Sequence, residues 1–318
     1  MSVLVYTESD QGNFKKAALE AASYGKAIAD AMGTTLTALT FKANDVSKLG
    51  DYGVDKVLNI DSVNDFNAKI YADAIKKAAE NESATVVVLS ASADSKYIAP
   101  LLAVGLNAGY VPNVVETPSN LNPFTVKRTA FTNKAFCNTE ISTPIKIVGV
   151  SNNSFGIVEK DAAAQIEAFA PDLTTSSTSV TSIDKANDKV TIADAEVVVS
   201  AGRGLKGPEN WAMIEELADI LGAATACSKP VSDLGWRPHS EHVGQTGKPV
   251  ATNLYIAIGI SGAIQHLAGI NASKVKVVIN TDPDAPFFKA ADYGIVGDAF
   301  EVVPKLIEKL KVFKAQNA

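Results

Sequence analysis

Residues 197–207 read Val-Val-Val-Ser-Ala-Gly-Arg-Gly-Leu-Lys-Gly, an apolar run that turns through glycines into a helical pattern. Residues 254–266 repeat this design as Leu-Tyr-Ile-Ala-Ile-Gly-Ile-Ser-Gly-Ala-Ile-Gln-His. A strand that turns through glycines into a helix exposes backbone N–H groups and the positive end of the helix dipole, and both attract anions. The polar loop 243–247, Val-Gly-Gln-Thr-Gly, lies between these two glycine corners in sequence. Together the three segments indicate a ligand with more than one polar part.

Short apolar runs alternate with helical patterns on both sides of this region. Continuous apolar strands are typical of a parallel sheet that is covered on both faces. We therefore expect an α/β fold with two domains, each built on a mostly parallel sheet flanked by helices. Residues 112–150 instead predict antiparallel or edge strands, and residues 228–249 predict an irregular stretch. The helices expected in the second half are 208–221, 262–268 and 302–311.

The length of the chain, 318 residues, exceeds that of a comfortable single core. Residues 172–182 are dominated by Thr and Ser without periodicity, which is typical of a linker. We therefore predict an N-terminal domain at residues 1–184 and a second domain at residues 185–318.

Composition excludes several functional classes. A net charge of −6 and a pI near 5.2 argue against nucleic-acid binding, which needs clustered Lys and Arg. No apolar run reaches the roughly 18 to 20 residues that span a bilayer, so we expect a protein that is not membrane-embedded. The N-terminus lacks a basic segment ahead of an apolar one, and Cys137 and Cys227 are too far apart in sequence to make a disulfide framework. These features favour the cytoplasm.

The first glycine corner has the G-x-G-x-x-G spacing of a dinucleotide loop. That fingerprint also requires an acidic residue about 20 positions further on, where this chain has Ser228 and Lys229. An NAD-dependent dehydrogenase therefore remains a weaker alternative, and simple turn geometry is another interpretation. Arg203 favours a phosphate ligand, because a guanidinium can hold a phosphate with two hydrogen bonds.

The sequence offers few residues for acid–base or metal chemistry. His239 and His242 are three positions apart, but no further metal ligands follow at a useful spacing, so we expect no metal. No P-loop, nucleophile elbow or catalytic carboxylate pair stands out. This shortage indicates that a cofactor carries the chemistry.

Six ordered blocks of this region resemble the α subunit of electron-transfer flavoprotein. They are Gly202–Lys206, Cys227–Val231, Val243–Lys248, Ser261–Gly269, Ile279–Pro286 and Ala291–Asp298. The resemblance implies one FAD in a Rossmann-like C-terminal domain and an N-terminal domain that contacts a separate β subunit. The residues it implies as FAD contacts are Arg203, Gly204, Ser228, Lys229, Val243, Gly244, Gln245, Thr246, Ser261, Gly262, Ala263, Ile264, Gln265, His266, Asn280 and Asp298.

The resemblance also implies roles for single residues. Thr246 would hydrogen-bond near flavin N5, and His266 would lie near N1 and O2, where a donor stabilises the reduced flavin and raises its potential. Lys229 departs from the family, which commonly has an arginine at this position. Lysine keeps the positive charge but lacks the planar surface that stacks on a ring.

The function implied is that of a non-covalent FAD electron carrier without a substrate of its own. It would take electrons from flavin dehydrogenases, such as the acyl-CoA dehydrogenases of fatty acid β-oxidation, and pass them to a membrane quinone oxidoreductase. The alternative within the family is an electron-bifurcating, NADH-linked flavoprotein with a second FAD in the β subunit.

Overall fold

The computed structural model describes residues 2–63, 65–131, 133–160, 162–183, 191–192 and 194–316. The chain separates into two compact units. The first is Met1–Ala130 with Phe136–Lys185, and the second is Phe131–Ala135 with Ala186–Ala318. The predicted boundary between residues 184 and 185 lies outside the described residues. Both units confirm the α/β fold with mostly parallel sheets and flanking helices.

The first unit contains, within the described residues, a ten-stranded sheet. Its longer strands are β1 (Ser2–Tyr6), β2 (Leu36–Phe41), β3 (Lys56–Ile60), β4 (Ala84–Ser90), β5 (Gly109–Val114), β6 (Phe124–Ala130), β7 (Ala135–Ile141), β8 (Lys146–Val150) and β9 (Gln165–Ala168). Its helices are α1 (Lys16–Met32), α2 (Ala68–Asn81) and α3 (Ala93–Gly105). The strand order is β7-β6-β5-β8-β4-β1-β2-β3-β9, and the sheet is parallel from β5 to β9.

Alternate residues of β1 pack on opposite faces of this sheet. Val3 and Val5 belong to the core that α1 covers, whereas Leu4 and Tyr6 belong to the core that α2 and α3 cover. This explains why the strand reads as a continuous apolar run. The expectation for residues 112–150 holds for β6, which is antiparallel to β5. It is wrong for β8, which lies inside the sheet and pairs in parallel with both β4 and β5.

The second unit contains, among the residues described, a five-stranded parallel sheet. Its strands are β10 (Val197–Ala201), β11 (Ala224–Cys227), β12 (Leu254–Ile258), β13 (Val275–Asn280) and β14 (Tyr293–Val296). Its helices are α4 (Ala212–Leu221), α5 (Lys229–Asp233), α6 (Ile264–Ile270) and α7 (Ala299–Gln316). The strand order β11-β10-β12-β13-β14 is the 2-1-3-4-5 order of doubly wound folds, in which ligands bind where the order reverses.

Helices cover both faces of this second sheet. Ile214 and Leu217 of α4 share one core with Val303 and Ile307 of α7. On the opposite face, Ile270 of α6 belongs to a core with Tyr255 and Phe287. Helix α4 begins at Ala212 rather than at the predicted residue 208, because Pro208–Asn210 form a separate 3-10 turn. Helix α5 lies in the stretch that was predicted to be irregular.

No helix in the described part of the chain combines the length and the apolar character that crossing a membrane requires.

Candidate functional site

The two glycine corners meet where the strand order of the second sheet reverses. The first corner follows β10 and the second follows the neighbouring β12, whose Ile258 pairs with Ala201. The Gly204 N–H donates to the Gly259 carbonyl at 3.1 Å, and a Cβ on Gly204 would lie 2.6 Å from the Gly259 Cα. Because that distance is far below a normal contact, glycine at 204 lets the two backbones touch. The two corners, which follow the strands β10 and β12, thus form one backbone cradle at the carboxyl edge of the sheet.

The polar loop 243–247 joins this cradle from the side of β11. Val243 N–H donates to the Cys227 carbonyl at 3.0 Å, and Gln245 N–H donates to the Gln265 carbonyl at 2.7 Å. A Cβ on Gly269 of α6 would lie 2.6 Å from the Gly244 Cα. The loop is therefore held against both the end of β11 and helix α6.

Together these elements enclose a cleft of about 950 Å³ in the second unit. Thirteen of the sixteen residues predicted to contact FAD line it. They are Arg203, Gly204, Ser228, Lys229, Val243, Gly244, Gln245, Thr246, Ser261, Ala263, Gln265, His266 and Asn280. The volume lies near the upper end of the roughly 300–1,000 Å³ that ligand pockets span.

The other three predicted residues do not line the cleft. Gly262 has a φ of +86°, and a Cβ there would lie 2.5 Å from the Phe287 backbone nitrogen, so its place is in the wall. Ile264 is the first residue of α6 and is 71% exposed. The Asp298 carboxylate accepts from the Phe300 N–H at 3.0 Å at the start of α7. Its other oxygen lies 3.8 Å from the Lys206 ammonium.

Sequence reasoning did not assign seven further lining residues to the cofactor. They are Pro230, Asp233, Leu234, His242, Gly259, Ile260 and Asp282. Three of them belong to or adjoin α5, which was not predicted. Pro230 was the residue that could have indicated this helix, because proline is favoured in the first turn of a helix. Ser261 lies two residues ahead of the N-cap of α6, which is Ala263, and no side chain caps the helix.

His266, in the second corner, is buried at 7% exposure. Burial, together with the nearby His242, lowers its pKa to about 4, and the Val243 backbone acts in the opposite direction. The ring is therefore neutral at pH 7. Its Nε2 is 2.9 Å from the Tyr255 hydroxyl, whose pKa burial raises, so we assign the hydroxyl as donor and the ring proton to Nδ1. That Nδ1 is buried and has no hydrogen-bond partner among the described residues.

Polar contacts fix the surroundings of the corner. The Asn280 amide donates to the Ile260 carbonyl at 3.0 Å and so ties the end of β13 to the second corner. Cations and anions both line the cleft, Arg203 and Lys229 against Asp233 and Asp282.

An arginine anchors the segment that leads into the polar loop. Arg237 donates to both carboxylate oxygens of Glu241, at 2.8 and 2.6 Å, and to Glu215 of α4 at 3.0 Å. Its guanidinium also lies over the Trp211 ring, 5.3 Å from the centroid. A planar cation with this many partners holds the segment in one conformation. In the described part of the chain no group of three or more His, Cys, Asp or Glu could hold a metal ion.

Comparison with known proteins identifies the family. A family model described as the electron transfer flavoprotein domain matches residues 3–174, and one described as the electron transfer flavoprotein FAD-binding domain matches residues 191–271. The chain is 34% identical to the electron transfer flavoprotein subunit alpha of Bacillus subtilis, with 97% of both chains covered. It is 35% identical to that of Pseudomonas aeruginosa, with 96% of this chain and 99% of the relative covered. A solved structure of MurG from Acinetobacter baumannii has a TM-score of only 0.31 at 13% identity and adds nothing to the argument.

The chain belongs to the electron-transfer flavoprotein α-subunit family. FAD is its cofactor, and it is a carrier of electrons rather than an enzyme with its own substrate. The residues present fit FAD in their chemistry. The touching glycine corners bring backbone and the Arg203 side chain together at the cleft, a combination that suits a pyrophosphate. The unpaired Nδ1–H of His266 is a neutral donor that a flavin oxygen or nitrogen would satisfy.

Proposed function

We propose that the cleft of the second unit holds one FAD, with the phosphates at the first glycine corner and the flavin near His266. The observation that carries this proposal is the contact between the corners through Gly204 and Gly259, at the point where the strand order reverses. We assign all sixteen predicted residues to FAD binding. Of these, Gly262, Ile264 and Asp298 would act from the wall of the cleft.

The residues of the cleft bind and orient the cofactor, while bound FAD supplies the storage of electrons. Arg203 offers a charged fork to a phosphate, and Gln245 and Thr246 offer an amide and a hydroxyl to the polar edge of the flavin. His266 presents its Nδ1–H as a fixed neutral donor, because Tyr255 holds the other nitrogen. A donor fixed in a buried site favours negative charge on its ligand, which raises the potential of the flavin.

Lys229 lies in the cleft at the start of α5. We propose that its ammonium attracts negative charge on the flavin as a point charge and does not stack on the ring. Replacement by glutamine, which removes this charge, would then lower the flavin potential, measured by redox titration. A potential equal to that of the parent protein would contradict this role.

We propose further that the chain forms a heterodimer with an electron-transfer flavoprotein β subunit, mainly through its N-terminal domain, residues 1–184. Its electrons would come from flavin dehydrogenases such as acyl-CoA dehydrogenases in fatty acid β-oxidation and pass to a membrane quinone oxidoreductase. The naming of the relatives as subunits supports the heterodimer. We place the protein in the cytoplasm, where the free thiols of Cys137 and Cys227 stay reduced.

The experiment is purification of the chain with its β subunit, followed by flavin quantification and reduction. We expect one FAD per heterodimer, reduction by an acyl-CoA dehydrogenase with its substrate, and reoxidation by a quinone oxidoreductase. A complex without flavin would refute the FAD site. Two FADs with direct reduction by NADH would refute the simple-carrier function and favour bifurcation.

A matched pair of variants tests the assigned orientation. Arg203→Gln removes a charged hydrogen-bond donor from the cleft, so we expect FAD affinity to fall by roughly 10- to 100-fold, the equivalent of about 1.5–3 kcal/mol. Lys206→Gln is the control, because Lys206 lies in the same corner but does not line the cleft and is 69% exposed. Equal loss in both variants would show that only the general charge of the corner matters.

A further inference from the structure

His242 precedes the polar loop directly and lines the cleft, although sequence reasoning considered it only as a metal ligand. It is 1% exposed, and its Nδ1 is buried without a hydrogen-bond partner among the described residues. Its backbone pairs with Cys227 at the end of β11. The sequence predicts no metal at this histidine, and none of the FAD contacts proposed above uses its ring.

The loop 243–247 closes around His242. A Cβ on Gly244 would lie 3.4 Å from the Nε2 of the ring, and a Cβ on Gly247 would lie 2.9 Å from its Cγ and 2.3 Å from its carbonyl oxygen. That carbonyl accepts from the Lys248 N–H at 2.9 Å. Gly247 is thus fitted to the imidazole and backbone of His242, and Gly244 leaves room for ordinary contact with the ring. Because the loop packs against the ring, outward movement of the loop would expose the ring.

The groups around His242 keep its ring neutral. Burial lowers its pKa first, and the neighbouring His239 and Lys229 lower it as well, whereas Asp233 acts in the opposite direction. Cys227, its backbone partner, has a thiol whose burial raises its pKa to about 12, so it supplies no charge at neutral pH. His266 is neutral too, and the two histidines disfavour each other's protonation. A protonated His242 would therefore be a buried cation without a hydrogen-bond partner for Nδ1.

We propose that His242 is a positioning residue of the flavin site: its buried neutral ring holds the loop 243–247 closed, and protonation of the ring releases that loop. The inference rests on the proposed FAD site, because Gln245 and Thr246 are the cofactor contacts that the loop presents. The protonated ring moves toward water and displaces the loop. FAD then loses its contacts with Gln245 and Thr246 together. The holoprotein is thereby sensitive to acid at a residue that does not itself carry electrons.

The test is FAD release from the purified heterodimer, followed by the rise of free-flavin fluorescence between pH 8 and pH 5.5. We expect the release rate of the parent protein to increase at least tenfold over this range. In His242→Gln, which keeps a polar side chain but cannot titrate, the increase between pH 8 and pH 5.5 should be less than threefold, whatever the rate of this variant at pH 8. His239→Gln should keep the tenfold increase, because His239 does not line the cleft, but the increase should begin at a higher pH, because His239 lowers the pKa of His242.

Removal of the ring provides a second measurement. His242→Ala should release FAD at least tenfold faster than the parent at pH 8, because the loop loses its support. If this variant does not fold, the comparison of His242→Gln with His239→Gln still tests whether the ring of His242 controls FAD release. A parent-like pH response in His242→Gln, or no pH response in the parent, would overturn the inference. A heterodimer that never contains flavin would instead refute the proposed function.

Discussion

Replacement of Gly204 by alanine tests the contact on which the site is built. The added Cβ would lie 2.6 Å from the Gly259 Cα and 3.0 Å from its carbonyl oxygen, whereas ordinary contacts begin near 3.4 Å. Both neighbours are backbone atoms, so the two corners must separate by roughly 1 Å. This overpacking costs about 1–3 kcal/mol. Weakening of the 3.1 Å hydrogen bond from Gly204 to Gly259 adds about 1 kcal/mol. We therefore expect the second unit to lose roughly 2–4 kcal/mol of unfolding free energy.

Urea unfolding followed by tryptophan fluorescence measures this loss. The two tryptophans of the chain, Trp211 and Trp236, both lie in the second unit and report its unfolding. We also expect at least tenfold weaker FAD binding by flavin fluorescence. Gly222→Ala is the control, because Gly222 has a φ of +63° but open space around its Cα. It should cost about 1–2 kcal/mol through backbone strain and leave FAD affinity unchanged. An unfolding midpoint and FAD affinity for Gly204→Ala equal to the parent's would refute the reasoning.

Three further predictions concern buried side chains of the second unit. The pKa of His266 is about 4 in the folded chain and about 6.5 in the unfolded chain. The unfolded state therefore binds the proton first as the pH falls. We expect a loss of about 3 kcal/mol of unfolding free energy between pH 6.5 and pH 4. Urea titrations at each pH measure that loss, and a His266→Gln variant with the same decline would contradict it. Tyr255→Phe leaves the Nε2 of His266 unpaired and should cost about 1–3 kcal/mol in the same assay, whereas Tyr293→Phe, at a residue 67% exposed, should cost nothing measurable. A thiol reagent at pH 8 should label Cys137 but not Cys227, whose side chain is 0% exposed with a pKa raised to about 12; two labelled thiols before urea is added would oppose this.

The strands were predictable because burial on both faces leaves a plain signature in the sequence. The apolar runs at residues 197–200 and 254–258 lie in the strands Val197–Ala201 and Leu254–Ile258. Helix ends were less predictable. The start of α4 is shifted by a 3-10 turn at Pro208–Asn210, and α5 has only five residues, too few to show a helical period. The place of β8 inside the first sheet could not be read locally, since pairing partners distant in sequence decide it.

The sequence by itself determined the α/β class and the chemical character of the ligand. Glycines after apolar runs, together with Arg203 and the polar loop, specify exposed backbone donors and a polar, phosphate-bearing cofactor. The resemblance to the electron-transfer flavoprotein α subunit, carried by blocks of neighbouring residues, also identified thirteen of the residues that line the cleft.

Only the tertiary structure decided how these pieces meet. The strand order puts β10 beside β12, so that Gly204 touches Gly259 although 55 positions separate them. The tertiary structure likewise places His266 in a buried hydrogen bond with Tyr255, and it packs the polar loop against His242. The physical reason is that adjacency and desolvation depend on the pairing of distant strands. A histidine's charge state follows from its burial, which no local pattern of residues records.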